Sequence, residues 1–191
     1  VLVKVLRSGI CGAQQNEING HKFPNLVPRT LGHEGVGIVV EVGPGVKKVK
    51  PDDLVCLHWR KSEGSDSDYP YFSWNGSRHS TGLITTLSEY SVVSVNRLTK
   101  VKVTTDFDLA ALMGCCLSTA LATVNKTADV KLGDSVLIVG AAGGVGLSLV
   151  LACNMVGATV VGCDKKNNTS LVSSLGGVLV KDIDSKFDVI I

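Results

Sequence analysis

Residues 136–150, VLIVGAAGGVGLSLV, set Gly140, Gly143, Gly144 and Gly146 between a strand-like run and a helix-like one. Glycine at a strand-to-helix turn lets the backbone fold back sharply and come close to a pyrophosphate. The phosphate charge is then met by the free amides at the helix start, Val145 among them. The register is shifted: counting back from Gly146, Ala141 takes the first glycine place of the G-x-G-x-x-G pattern, and Gly140 offers the turn one residue earlier. A glycine turn alone is equally a device for tight strand–helix packing. Asp164 adds weight, because it closes the next strand-like run 18 residues after Gly146. A carboxylate there can accept from the ribose hydroxyls of NAD and repel the 2′-phosphate of NADP, although Lys165 and Lys166 keep NADP open as the lesser choice. The plain alternative for Asp164 is a strand-end or helix-cap residue.

Six cysteines, at 11, 56, 115, 116, 153 and 163, have none of the compact spacing of a secreted disulfide framework. They read as reduced thiols or metal ligands, which fits a cytoplasmic protein. Cys56, Cys153 and Cys163 lie in apolar runs and are expected in the core. With 19 basic and 17 acidic residues, the net charge of +2 lacks the electrostatic footprint of a nucleic-acid binder. The uncharged stretch from Asp134 to Asp164 is long enough to span a bilayer. Its β-branched ends and glycine centre instead suit strand, turn, helix and strand, so no membrane partner is expected.

These residues need two kinds of scaffold. Up to about residue 105, short apolar runs alternate with turn residues (VLVKVLRSG, GVGIVVEVGPG, DLVCLHW, SEYSVVSVNRLTKV), which predicts a β-rich first domain. From Asp108, a candidate helix cap, the pattern turns helical and then alternates strand and helix, which predicts a parallel α/β unit. The segment HWRKSEGSDSDYPYFSWNGSRHSTG holds five of the chain's nine aromatics and is expected as a long loop or small lobe packing on its own side chains, with a substrate-pocket lining as the functional alternative. Val1 opens inside one strand-like run and FDVII closes in another, so the chain reads as a fragment continuing beyond both ends.

GICG at 9–12, LGHEG at 31–35 and GCCLST at 114–119, together with the glycine turn in that order, resemble the zinc-dependent alcohol dehydrogenases of the medium-chain dehydrogenase/reductase family. The resemblance implies a GroES-like catalytic domain over 1–116 and an incomplete Rossmann domain, a doubly wound parallel sheet, over 117–191. It also implies Cys11, His33 and Cys115 as ligands of one catalytic zinc, an open fourth position, and Glu34 beside the metal. Cys116 would point elsewhere on its helix, and Thr119 would reach the nicotinamide, with a helix hydroxyl bonded to the preceding turn as its bland alternative. The intact protein would be a homodimer or homotetramer acting on a small alcohol or aldehyde.

Two departures stand out. The family usually has Ser or Thr two residues after the first zinc cysteine, to pass a proton outward, and Asp next; here Ala13 and Gln14 follow Cys11. His58, His79 or Asn16 would then have to serve the proton, and His58 is taken as the catalytic candidate. Residues 57–114 contain no cysteine, so the family's second, structural zinc is expected to be absent. The leading expectation is hydride transfer between NAD and an alcohol or aldehyde. The alternatives are a zinc-free quinone or enone reductase of the same superfamily, or a non-catalytic nucleotide- or zinc-binding protein.

Overall fold

The short β-branched runs at the start of the chain form antiparallel strands, apolar on one face or, in β2 and β3, buried along most of their length. β1 (Leu2–Ser8) is followed by helix α1 (Gly12–Ile18), β2 (Glu34–Glu41), β3 (Leu54–His58), the pair β4 (Tyr71–Trp74) and β5 (Ser77–Ser80), β6 (Tyr90–Val92) and β7 (Leu98–Lys100). The computed structural model describes residues 1–20 and 28–191. It divides into two compact units, Val1–Cys115 and Cys116–Ile191.

In the first unit the sheet runs β6-β1-β2-β3-β7, with antiparallel neighbours throughout. Val55 and Leu57 of β3 face one cluster with Val3, Val39 and Leu98. Leu54 and Cys56, on the opposite face, meet Val36 and two alanines of helix α2 (Phe107–Leu112), Ala110 and Ala111. Burial on both faces is why DLVCLHW reads as a nearly unbroken apolar run. The cap of α2 differs from expectation. Asp106, not Asp108, accepts the Leu109 amide at 2.9 Å, while Asp108 lies in the first turn and pairs with Arg7 at 3.2 Å.

The aromatic segment, expected as a long loop or small lobe, contains a two-residue hairpin. Asn75 and Gly76 have φ of 48° and 73°, the left-handed pair that a type I′ turn requires and that Asn-Gly supplies at least cost. Phe72 stacks on His79 across the strands with centroids 5.4 Å apart, and the Arg78 guanidinium lies 3.8 Å from the Tyr71 ring centre.

After α2 the chain makes a wide i→i+5 helical turn over Met113–Leu117, then α3 (Ser118–Ala122) and a second wide turn over Thr123–Thr127. The run Phe107–Thr127, 21 residues at mean hydropathy 1.7, is long and apolar enough by length and composition to cross a membrane. Of its buried residues, Ala110 and Ala111 belong to the core of the first unit, Ala120 and Val124 to that of the second, and Gly114 packs against Leu57 and Glu34.

In the second unit β8 (Ser135–Val139), α4 (Gly144–Met155), β9 (Thr159–Cys163), α5 (Thr169–Ser174), β10 (Gly177–Val180) and β11 (Val189–Ile190) follow in turn. The uncharged stretch is therefore strand, turn, helix and strand. The sheet is parallel, in the order β10-β9-β8-β11. Numbered within the unit this is 3-2-1-4, the first four positions of a dinucleotide-binding sheet. Helix α4 packs on it through Leu149, Val150, Ala152 and Cys153.

An added Cβ at Gly146 would stand 2.1 Å from the Gly140 carbonyl oxygen, whereas one at Gly144 would meet nothing within 4 Å. Gly146→Ala is expected to destabilise this unit by about 1–3 kcal/mol through overpacking. Gly144→Ala should leave the urea midpoint unchanged or raised, because alanine is the better helix former. Equal midpoints for the two variants would contradict this packing.

Candidate metal centre and nucleotide turn

Antiparallel pairing brings the end of β1 beside the start of β2: Ser8 faces Gly35 in the register, and the Gly9 amide donates to the Glu34 carbonyl at 3.1 Å. Cys11, at the N-cap of α1, and His33, just before β2, are therefore neighbours in space although 22 residues apart in sequence. The third corner comes from the wide turn after α2. Gly114 packs so closely there that an added Cβ would stand 2.3 Å from the Leu57 carbonyl oxygen.

Cys11, His33, Glu34 and Cys115 each offer a ligand atom, all within 4.8 Å of one another. The His33 Nε2 is 3.1 Å from the Cys115 Sγ. Two thiols and an imidazole are the soft donors that zinc takes at roughly 2.0–2.3 Å, so the donor set fits that ion. Glu34 is buried at 2% exposure. Burial, and after it the negative charges of Cys11 and Glu34, push the Cys115 thiol up to about 12; a hydrogen bond from the Trp59 side chain works in the opposite direction. A cation among these groups would reverse that preference, because its charge favours the thiolate.

Gln14 lies behind the imidazole. Its side chain is 2% exposed, its Nε2 is 2.6 Å from His33 Nδ1, and its Oε1 accepts the Cys11 amide at 3.2 Å. Ala13 brings no polar group to the cluster, and Asn16 is exposed on α1. His58 is the register partner of Glu34 across β2 and β3. Its Nδ1 is 2.7 Å from the Arg60 carbonyl oxygen and its Nε2 is 2.9 Å from the Thr99 hydroxyl, and burial lowers its pKa. His79 belongs to the hairpin, stacked on Phe72. The structure thus turns both histidines expected as proton carriers toward other partners.

Sequence reasoning missed three residues here. Trp59 hydrogen-bonds Cys115 through its side chain, while the Arg97 guanidinium donates to its carbonyl oxygen. Gly9 and Gly114 make room for Glu34: an added Cβ would lie 2.7 Å from the Glu34 carboxylate at Gly9 and 3.2 Å from the Glu34 Cβ at Gly114. The glycines in GICG and GCC were visible, but only the fold shows which side chain they admit.

In the second unit the glycine turn is built as its residues suggest. Gly140 has φ of 86°, and its amide donates to the Cys163 carbonyl at 2.8 Å, which ties the turn to the end of β9. Added Cβ atoms at Gly140 and Gly144 would meet nothing within 4 Å. Gly143 caps α4, a 12-residue helix whose first amides, including that of Val145, have no partner within the helix by geometry. Ala141, in the first glycine place, is fully buried, and its methyl lies against Gly162, where a Cβ would come within 2.4 Å of it. A glycine on the next strand thus accommodates the methyl that this turn carries.

Asp164 is anchored by backbone on both sides. Its Oδ1 accepts the Lys166 amide at 2.8 Å and its Oδ2 the Ala142 amide at 2.9 Å, and these bonds hold the carboxyl below the usual carboxylate range. The Cys116 Sγ accepts from the Ser148 hydroxyl of α4 at 3.5 Å. Thr119 is half-buried on α3, and the backward hydroxyl bond weighed for it is made by Thr123 onto the Thr119 carbonyl, at 3.0 Å.

Residues 1–103 match the family model described as the alcohol dehydrogenase GroES-like domain, which is more than half of the chain. The chain belongs to that family, within the medium-chain dehydrogenases/reductases. An S-(hydroxymethyl)glutathione dehydrogenase of Escherichia coli O1:K1 is 34% identical over 176 residues, covering 78% of this chain and 47% of the relative. Benzyl alcohol dehydrogenase from Acinetobacter calcoaceticus superimposes with a TM-score of 0.78 at 25% identity, covering 100% of this chain and 56% of that one. The quinone oxidoreductase from Coxiella burnetii gives the same TM-score and identity over 100% of this chain and 58% of that one. The chain spans about half the length of the curated relatives it matches. The GroES-like fold and the parallel sheet of a partial Rossmann domain are the architecture of this family.

Two outcomes follow from this geometry. Gly9→Ala should displace the Glu34 carboxylate and destabilise the first unit by about 1–3 kcal/mol. The shorter side chain of Glu34→Asp should restore part of that loss, and a double variant no better than Gly9→Ala in urea unfolding would refute the contact. For Asp164 the lowered pKa gives the sign: its bonds to the Lys166 and Ala142 amides contribute fully above the ordinary carboxylate pKa and are lost as pH falls through the lowered one. The amide resonances of Ala142 and Lys166 should accordingly titrate below the usual Asp range.

Proposed function

We propose that the protein containing this chain is a zinc-dependent oxidoreductase that transfers hydride between NAD and an alcohol or aldehyde carbon. The convergence of Cys11, His33, Glu34 and Cys115 in one cluster carries this reading. Cys11, His33 and Cys115 would hold the metal, with the Glu34 carboxylate beside it as the fourth group of the cluster. When bound, zinc supplies Lewis-acid polarisation of a substrate oxygen, and NAD supplies the hydride chemistry.

The remaining roles belong to the chain. Gly140, Gly143, Gly144, Val145 and Gly146 would cradle the pyrophosphate: added Cβ atoms at Gly140 and Gly144 would meet nothing within 4 Å, and Gly146 lets the helix start pack against the Gly140 carbonyl. Asp164 keeps further lone pairs after its two amide bonds, enough to accept ribose hydroxyls, and its negative charge favours NAD over NADP. Thr119 is assigned to the nicotinamide end by resemblance. The side chain of Ala13 has no exchangeable proton, so the substrate proton would pass to His58, whose ring is held by Arg60 and Thr99, or to solvent.

The relatives named as an S-(hydroxymethyl)glutathione dehydrogenase and a benzyl alcohol dehydrogenase support a small alcohol or aldehyde substrate. A second reading, quinone or enone reduction without metal, is favoured by the likeness to a quinone oxidoreductase, and the Cys–His–Cys cluster argues against it. One metal per subunit, a homodimeric or homotetrameric assembly and a cytoplasmic location complete the proposal; the six unbridged cysteines support the last.

The test uses the full-length protein. The wild type should carry about one zinc per subunit, and Cys11→Ala or His33→Ala should lose the metal and alcohol dehydrogenation together. Removing one ligand group is expected to lower turnover at least ~10²-fold. Full activity in a zinc-free Cys11→Ala protein would sink the assignment.

A further inference from the structure

A carboxamide has one accepting end and one donating end, whichever way it is turned. At Gln14 each end faces one neighbour: Oε1 takes the Cys11 amide at 3.2 Å, and Nε2 lies 2.6 Å from His33 Nδ1. The side chain is 2% exposed, so solvent does not supply a replacement partner. The Cys11 amide can only donate. With Nε2 donating as well, His33 Nδ1 is the acceptor, and the ring proton sits on Nε2, which faces the Cys115 Sγ at 3.1 Å.

That tautomer is the wrong one for ligation. His33 Nε2 points into the cluster with Cys11, Glu34 and Cys115, and a cation held through Nε2 requires its lone pair, which moves the ring proton to Nδ1. Both neighbours of Gln14 are then donors, while its amide has a single accepting end. Turning the amide over satisfies the imidazole and sets Nε2 against the Cys11 amide at the first turn of α1. A carboxylate in the same place could accept from both at once.

We propose that Gln14 is a positioning residue that couples metal loading to the loss of one hydrogen bond, so that this centre holds its metal more weakly and releases it more readily than one with a carboxylate at this position. The inference rests on the metal reading above and extends it to the residue that governs occupancy.

The experiment is zinc competition against a chromophoric chelator on the full-length protein, wild type against Gln14→Glu. The expected result is tighter binding by about 10–100-fold in the variant, the scale set by partners behind a metal ligand. A second measurement needs no variant: ¹⁵N resonances of His33 in metal-free wild-type protein should place the ring proton on Nε2, and zinc should move it to Nδ1. Affinities within twofold of each other, or a ring proton already on Nδ1 without metal, would overturn the inference. A wild type that takes up no zinc would instead overturn the metal reading on which it stands.

Discussion

Two thiols, an imidazole and a carboxylate packed within 4.8 Å of one another set the terms for the rest of the first unit. Burial first, and after it repulsion from the negative charges of Cys11 and Glu34, keep the proton on the Cys115 thiol up to about 12. Each neighbouring element limits that repulsion or shapes the space around it. The β1–β2 register fixes Cys11 against His33, the wide turn delivers Cys115, and Gly9 and Gly114 keep the Glu34 carboxylate from being pushed further among the ligands. The sheet is thus a frame that holds like charges together at a spacing suited to one small cation.

The second unit solves a comparable problem with backbone. Its glycine turn is tied to β9 through the Cys163 carbonyl and to the Asp164 carboxylate through the Ala142 amide. The carboxylate is therefore oriented before any ligand arrives, and its lowered pKa follows from the same amides that hold the turn. Such preorganisation reduces the ordering that a bound nucleotide would otherwise impose.

Much of this was legible in the sequence, and what was not has a common cause. Local signals worked: the strand runs, the glycine turn and the acidic residue closing the next strand all depend on periodicity or short spacing. Asn75–Gly76 was a readable hairpin signal too, hidden by the polar composition around it. Long-range contacts were not readable. The roles of Gly9, Gly114 and Gly162 depend on side chains from other elements, and Trp59 meets Cys115 across 56 residues of sequence. The cap of α2 moved by two residues because Asp106 and Asp108 are both suitable acids, and only the Leu109 amide chooses between them. His58 read as a proton carrier because its type and place allow one, and its partners, the Arg60 carbonyl just past β3 and the Thr99 hydroxyl on β7, are set by the fold and not by sequence spacing.

The hairpin between Tyr71 and Ser80 has a consequence for how this part of the chain responds to its surroundings. Its shape comes from a left-handed Asn–Gly turn, ring stacking between Phe72 and His79, and a guanidinium over Tyr71. No cysteine occurs from 57 to 114. The lobe therefore has neither a thiol to be oxidised nor a thiolate cage to be emptied, and it answers to heat and solvent composition, where a cysteine-clamped lobe would answer to oxidants and chelators as well.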